Sequence, residues 1–242
     1  MQGRTVNTQG PITIGVAMTT ATKTGRKSGI ILVDDHPMLR RGIAELINGE
    51  KDLEVLAEAG SAAEVYELVS KHHPAMLVID VSLEGENGIE LMQQLSYKDP
   101  NVKMLAYSMH DEQLYAERAL RAGAKGYVMK HHPPEIFLDA VRDVLKGKVY
   151  LSETMSGRLL GKLVGAGANA TVSKSPIESL SNRELEVLQH MGRGLTTAQI
   201  ADKLTLSIKT IETYREHLKH KLNVQTGPEL LRYAIEWSLD QN

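Results

Sequence analysis

From Gly29 onward, short apolar runs alternate with stretches whose apolar residues recur every three or four positions. Ile30-Ile31-Leu32-Val33 predicts a strand buried on both faces, and Ile43, Leu46 and Ile47 give a helical stripe after it. Leu53 to Ala59 predicts a second strand, with Val65, Leu68 and Val69 as the next helix. Ala75 to Ile79 predicts a third strand, running straight into Asp80. Ile89, Met92 and Leu95 follow at helical spacing. Val102 to Tyr107 is a fourth strand, with a helix near Glu112 to Ala122. Gly126 to Met129 is a fifth, and Ile136, Ala140, Val141, Val144 and Leu145 close with a periodic helix. Strand–helix alternation five times over implies an α/β fold, a doubly wound five-stranded parallel sheet covered on both faces.

The pattern then changes. Residues 151–178 hold Gly157, Gly161, Gly165 and Gly167 in a Ser/Ala-rich stretch, which is linker composition, with one short helix at Leu159, Leu160 and Leu163. Residues 179–242 are helical in pattern, with breaks at Gly192-Arg193-Gly194, Thr205-Leu206-Ser207 and Gly227-Pro228. Four helices there make a small all-α domain. Residues 1–28 show no sustained period and read as a disordered tail.

Charge sharpens this division. The net charge of −2 conceals a segment 30–150 with 13 Lys/Arg against 20 Asp/Glu, a poor surface for nucleic acid. The C-terminal domain is close to neutral, so DNA contact there requires a local cluster. One exists: between Lys203 and Lys221 stand five basic and two acidic residues. The chain has no cysteine, which excludes disulfides and thiolate metal sites and agrees with a cytoplasmic protein. No apolar run approaches the roughly 20 residues that cross a bilayer, and no secretory leader is evident, so no membrane partner is expected.

Candidate chemistry gathers at strand ends. Asp34 and Asp35 follow the first strand, and Asp80 follows the third; in a right-handed doubly wound sheet those strands are neighbours. Three carboxylates at one edge repel each other unless a cation joins them, and oxygen ligands alone favour Mg2+. Such an ion would template attack by Asp80 on a phosphoryl group. Ser108 ends the fourth strand and offers a hydroxyl to a phosphoryl oxygen; Lys130 ends the fifth and offers a point charge; Tyr127, on that strand, can move with Ser108. Any one Asp at a strand end is ordinarily a cap or turn former. An acid pair, an Asp, a Ser and a Lys on four separate strand ends is not what caps alone would produce.

In the C-terminal domain, Ser181 with Glu184 forms a capping box, Thr197 is placed to cap the next helix, and Ser207 the third, Lys209 to Leu222. Helix, turn and a second, basic helix make a helix-turn-helix pattern. Ile211, Tyr214, Leu218 and Leu222 share its core face. Lys209, Arg215, Lys219 and Lys221 are candidates for DNA phosphates, and Glu212 and Thr213 for base edges. The helix N-termini at Thr197 and Ser207 offer free N–H groups to phosphates. A solvated charged face on a protein-binding bundle is the competing reading.

Residues 30–150 resemble a receiver domain of two-component response regulators, with a flavodoxin-like fold. The resemblance rests on Asp34-Asp35-His36-Pro37, Ile79-Asp80, Ser108 and Tyr127-Val128-Met129-Lys130. Leu180–Val224 resembles the LuxR-type (NarL/FixJ) DNA-binding domain through Leu180-Ser181-Asn182-Arg183-Glu184, Glu186-Val187-Leu188, Ile200-Ala201, Leu204, Ser207, Lys209-Thr210-Ile211 and Lys221-Leu222-Asn223-Val224. The resemblance implies phosphorylation of Asp80 by a partner histidine kinase, and Mg2+ held by Asp35 and Asp80, with Asp34 helping through water and the Ser82 carbonyl as a further ligand. It implies that Ser108 and Tyr127 form a switch pair and that Thr210 joins the DNA-facing set. It also implies a homodimer on double-stranded DNA through the last helix, where Leu230, Ala234 and Trp237 are the candidates. The expected function is a phosphorylation-switched transcription regulator, not an enzyme, whose receiver only assists its own phosphoryl transfer and dephosphorylation. Ser82 and His110 are placed to border the path of hydrolytic water. A DNA-binding regulator whose receiver acts independently of phosphate is the alternative. An aspartyl-phosphate hydrolase would need an Asp at position 82, which is Ser, and a protein-binding adaptor would need no DNA contact at all.

Overall fold

The computed structural model describes residues 27–165 and 176–240; the expected N-terminal tail lies almost wholly outside them. Five parallel strands, β1 Ser28–Val33, β2 Leu53–Ala59, β3 Met76–Ile79, β6 Met104–Ser108 and β7 Gly126–Met129, form one sheet in the order β2-β1-β3-β6-β7. Period-two alternation divides β1 between the faces. Ile30 and Leu32 pack with α1 (Pro37–Asn48) and α5 (Pro134–Leu145), while Ile31 and Val33 pack with α2 (Ala62–His72), α3 (Gly88–Lys98) and α4 (Glu112–Arg121). Short crossovers between parallel neighbours require helices on both faces, as the apolar runs predicted.

One element escaped the sequence reading. Directly after Asp80 the chain makes a two-residue hairpin, β4 Ser82–Leu83 against β5 Glu86–Asn87, turning at Gly85 with φ +70°. Asn87 then caps α3, its Oδ1 accepting from Ile89 N at 2.9 Å and Glu90 N at 3.3 Å. Gly88 is required by crowding, since a Cβ there would stand 1.9 Å from the Asp80 carbonyl oxygen.

The stretch expected to be mostly linker is more ordered than its glycines suggested. Helix α6 runs Glu153–Gly165, with Met155 buried and Lys162 bridging Glu117 of α4 at 2.7 Å and Glu178 at 3.0 Å. A Cβ at Gly157 or Gly161 would meet nothing within 4 Å, so both glycines lie on an open side and do not interrupt the helix.

The C-terminal domain comprises a 3-10 turn at Pro176–Ser179 and helices α7 Asn182–Gly192, α8 Thr197–Lys203, α9 Ile208–Leu222 and α10 Gly227–Leu239. Ser181 and Glu184 form the expected capping box, and Ser207 caps α9. The cap of α8 is Thr196, one residue before the expected Thr197, because Gln199 completes a capping box with Thr196. The Thr197 hydroxyl is instead bound by Arg215 Nη1 at 2.7 Å. Ile211, Leu218 and Leu222 are buried, and Tyr214 is half-buried against them. The apolar core is continuous from the α2/α3/α4 face of the sheet into α7, α9 and α10.

Candidate functional site

Strand register assembles the site. Val33 pairs with Ile79, which places Asp34 beside Asp80, and Ser108 pairs with Met129, which places Lys130 on the same edge. Backbone bonds fix these ends: Asp80 N donates to Val33 O at 2.8 Å, and Lys130 N to Ser108 O at 2.7 Å. Lys130 Nζ then donates to Asp34 Oδ2 and Asp80 Oδ2, each at 2.6 Å, with all three side chains buried. The remaining oxygens are also engaged. Asp34 Oδ1 accepts from His36 N at 2.8 Å, and Asp80 Oδ1 from Ser82 N at 3.1 Å.

Burial pushes the Asp80 carboxyl up to about 6, against the pull of Lys130, and the Asp34 charge adds to the rise. Burial alone would lower Lys130; the Asp80 and Asp34 carboxylates outweigh it, and the ammonium is held above its ordinary value. A buried ammonium shared by two carboxylates leaves the pocket short of positive charge once Asp35 is counted.

Asp35 Oδ1 supplies the test for a cation. It is buried without a hydrogen-bond partner and lies 2.6 Å from His36 Nδ1. Ligand atoms of Asp34, Asp35, His36 and Asp80 lie within 4.8 Å of one another. A buried carboxylate oxygen without a hydrogen-bond partner, among three aspartates with one imidazole beside them, fits a hard divalent cation such as Mg2+.

The other expected residues also converge. Ser108 is buried, its Oγ accepting from His110 N at 3.1 Å. Ser82 Oγ and His110 Nε2 are 2.6 Å apart, and the His110 ring stacks on Tyr115 at 4.4 Å between centroids. Tyr127 is buried, its hydroxyl donating to His110 O at 2.9 Å.

Sequence reasoning missed what covers this edge. A cavity of about 380 Å³ is lined by Asp35, Asp80, Ser82, His110 and Lys130 from the receiver, and by Arg183, Glu186, His190, Arg193 and Lys203 from the helical domain. Asn87 Nδ2 donates to Glu186 Oε1 at 2.7 Å, and Arg183 Nη1 holds the other Glu186 oxygen at 2.9 Å. Tyr115 donates to Gln189 Oε1 at 2.9 Å. Arg118 donates to Leu180 O at 2.6 Å, Ile177 O at 3.0 Å and Asn182 Oδ1 at 3.2 Å. Thr205, in the turn before α9, faces Glu84 of the hairpin at 3.5 Å. Contacts between residues 59 to 121 positions apart leave no periodic signal in a sequence.

The expected DNA-facing residues divide into two groups. Lys209, Glu212 and Thr213 are exposed on the outer face of α9, and Thr210 is half-buried. Lys219 pairs with Glu216 at 2.8 Å, and Lys221 with Glu184 at 2.7 Å, so both ammonium groups are engaged inside the domain. On α10, Leu230 and Ala234 are fully buried in the domain's own core and Trp237 is half-buried against it, so the first two are closed to a second copy. The exposed apolar residues of that helix are Leu231, Ile235 and Leu239, spaced four apart.

Residues 30–142 match the family described as "Response regulator receiver domain", and residues 178–234 that of "Bacterial regulatory proteins, luxR family". The chain is 36% identical over 212 residues to the oxygen regulatory protein NreC of Staphylococcus carnosus (strain TM300), covering 87% of this chain and 98% of that one. It is 37% identical over 212 residues to NreC of Staphylococcus haemolyticus (strain JCSC1435), with the same coverage. Among solved structures it resembles RcsB from Salmonella enterica serovar Typhimurium, bound to promoter rprA in the presence of phosphomimetic BeF3- (TM-score 0.56, 25% identity, 86% of this chain and 98% of that one). It also resembles a LuxR-family two-component response regulator from Aurantimonas sp. SI85-9A1 (TM-score 0.53, 33% identity, 57% of this chain and 99% of that one). With both halves matched and relatives aligned over nearly their full length, this chain belongs to the NarL/LuxR family of DNA-binding response regulators.

Proposed function

We propose that Asp80 accepts a phosphoryl group from a histidine kinase and that its phosphorylation releases the helical domain to bind double-stranded DNA as a homodimer. The observation that carries this reading is the Lys130 ammonium held 2.6 Å from both Asp34 and Asp80 on an edge roofed by the DNA-binding domain. Asp35 and Asp80, with Asp34 through water and the Ser82 carbonyl, would hold Mg2+. That ion supplies neutralisation of the charge shared by carboxylates and phosphoryl oxygens. Asp80 provides the attacking oxygen, and Lys130 turns from Asp34 toward the incoming group as its point charge. Ser108 donates its hydroxyl to a phosphoryl oxygen, which frees the His110 N–H that it now accepts.

A phosphorylated side chain carries about −1.5 to −2 charges, delivered here into a cavity that also holds the buried Glu186. Repulsion from Glu186 and loss of the Ser108–His110 contact both favour separation of the domains, a shift between two populations. Separation frees the α8–α9 turn from the acidic hairpin at Glu84, which opposes DNA phosphates at the start of α9. Lys209 and Arg215 then face phosphates, and Glu212 and Thr213 face base edges. The dimer surface is the exposed stripe Leu231, Ile235 and Leu239 rather than buried Leu230 and Ala234, with Trp237 at its margin.

No described helix is long and apolar enough to cross a membrane, consistent with work in the cytoplasm. The test is incorporation of an acid-stable, base-labile phosphoryl group in Mg2+ buffer, followed by intact-protein mass. Wild type gains one group, Asp80→Asn gains none, and chelation of Mg2+ abolishes the gain. Equal labelling of Asp80→Asn would favour the alternative of a receiver that works without phosphate at this position.

A further inference from the structure

A second cavity, of about 500 Å³, shares no lining residue with the one over Asp80. Residues of α4 and α6 line it from the receiver side, and residues of the turn at Pro176–Ser179, α7 and α10 from the other. Its apolar lining is Leu114, Ile177 and Leu185. Tyr233 and Trp237, one turn apart on α10, also line it; both are half-buried, and neither ring stacks on another aromatic side chain among the described residues. Three guanidinium groups, of Arg118, Arg121 and Arg158, meet two acids there, Glu117 and Glu178. The acids are already matched within the fold. Glu117 pairs with Arg121 at 2.6 Å and Lys162 at 2.7 Å, and Glu178 with Lys162 at 3.0 Å. Burial would raise the Glu117 carboxyl, but the charges of Lys162, Arg121 and Arg158 outweigh it and hold the group below its ordinary value. Arg118 spends its donors on two carbonyls and the Asn182 amide oxygen, and Arg158, which is exposed, makes one long bond, 3.3 Å, to the Gln113 carbonyl. Neither has an ion-pair partner among the described residues. Positive charge is therefore in excess beside two unstacked aromatic rings.

We propose that this cavity binds a small, flat aromatic carboxylate, its ring held against Tyr233 and Trp237 and its carboxylate taken by the Arg158 guanidinium. The volume lies in the range of small-ligand sites, which recur where domains meet. Tyrosine and tryptophan rings hold a flat aromatic by offset stacking. The planar guanidinium fork matches a carboxylate in two parallel hydrogen bonds. A single charge fits best, because a more highly charged ligand would also meet Glu117 and Glu178. Such a ligand touches both domains, so it binds the closed form and not the open one. At a hundred times its Kd it favours the closed form by about a hundredfold. The site thus opposes the opening that a phosphoryl group drives. That consequence rests on the phosphorylation reading; the binding site does not.

Trp237 is the only tryptophan of the chain, so its fluorescence reports on this cavity directly. The probes are 2-naphthoate and its neutral counterpart 2-naphthamide, titrated into the full-length chain. The expected result is saturable quenching by 2-naphthoate, about tenfold weaker in Arg158→Gln, with 2-naphthamide binding less tightly than 2-naphthoate and indifferent to that substitution. Arg232→Gln, at an exposed position of α10 outside the cavity, should bind as wild type does. Absence of saturable quenching in wild type, equal affinity in Arg158→Gln, or equal weakening in Arg232→Gln overturns the proposal. The effect on the domains is read by scattering in Mg2+ and beryllium fluoride, where saturating 2-naphthoate should reduce the expansion of wild type. An expansion that saturating 2-naphthoate leaves unchanged overturns the opposition to opening. A wild type that does not expand even without the probe removes the phosphorylation reading instead, and the quenching titration still decides the site.

Discussion

Asn87 and Glu186 meet across the two domains, the amide Nδ2 donating to the carboxylate Oε1 at 2.7 Å in a buried setting. Asn87 uses its other end to cap α3, seven residues after the phosphoacceptor candidate, so one side chain joins the hairpin beside Asp80 to helix α7. Burial raises the Glu186 carboxyl above its ordinary value, with Arg183 pulling against it.

This contact predicts a charge-reversal cycle. Asn87→Asp keeps an oxygen to cap α3 but sets a carboxylate against Glu186. Losing a buried hydrogen bond to a charged group costs about 2 kcal/mol, or roughly thirtyfold in the closed-to-open ratio. The radius of gyration should rise without phosphorylation. Adding Glu186→Gln supplies an amide donor to the new carboxylate and should restore part of the closed population; equal openness in single and double variants would show that this contact does not hold the domains.

Arg118 is the second fastener. Its guanidinium reaches two carbonyls and one side-chain amide of the segment that leads into α7. Because the apolar core runs through both domains, wild type without phosphoryl group should melt as one calorimetric transition. Arg118→Ala should separate it into two, the helical domain melting first.

Acid should open the molecule through two buried histidines, which act against the raised Glu186 carboxyl, whose protonation favours the closed form. Burial holds His110 down to about 4, with Arg193, His190 and Lys130 adding to the effect. Burial likewise holds His190 to about 4, aided by Arg193 and Lys203. An open or unfolded form binds protons near pH 6.5, the closed form only near 4, so the closed form is favoured above pH 6.5 and loses stability as pH falls from 6.5 toward 4. Scattering at pH 7.5 and 5.0 should show expansion at the lower value, reduced in His190→Gln. Identical profiles at both values in wild type would contradict this.

In the helical domain, Lys209→Ala should weaken binding to all duplex sequences alike and reduce the slope of affinity against salt by about 1. Thr213→Ala should leave the salt slope intact and change base preference. Lys221→Ala should act mainly through stability, because its ammonium is engaged by Glu184.

Much of this was readable in the sequence where local rules operate. Apolar runs located all five sheet strands, and the residues at or just past their ends, Asp34, Asp35, Asp80, Ser108 and Lys130, fell on one edge because parallel strands in register end together. The hairpin after Asp80 was missed because two-residue strands have no measurable period. Thr197 was mistaken for a cap because two threonines adjoin, and only Gln199 decides between them. The resemblance implied a dimer through the last helix with Leu230 and Ala234 in it, but both are buried in the domain's own core, where α10 packs on α7. The contact of Asn87 with Glu186 carried no signal at all, since it arises only from the packing of one domain on the other.

The most direct test of the whole account is small-angle X-ray scattering of wild type and Asp80→Asn, each with and without Mg2+ and beryllium fluoride, which stands in for the phosphoryl group on aspartate. The protein should be a compact monomer that expands and doubles in mass only in wild type with both additives. A wild-type profile that does not change, or an equal change in Asp80→Asn, would contradict the claim that a phosphoryl group on Asp80 parts the two domains.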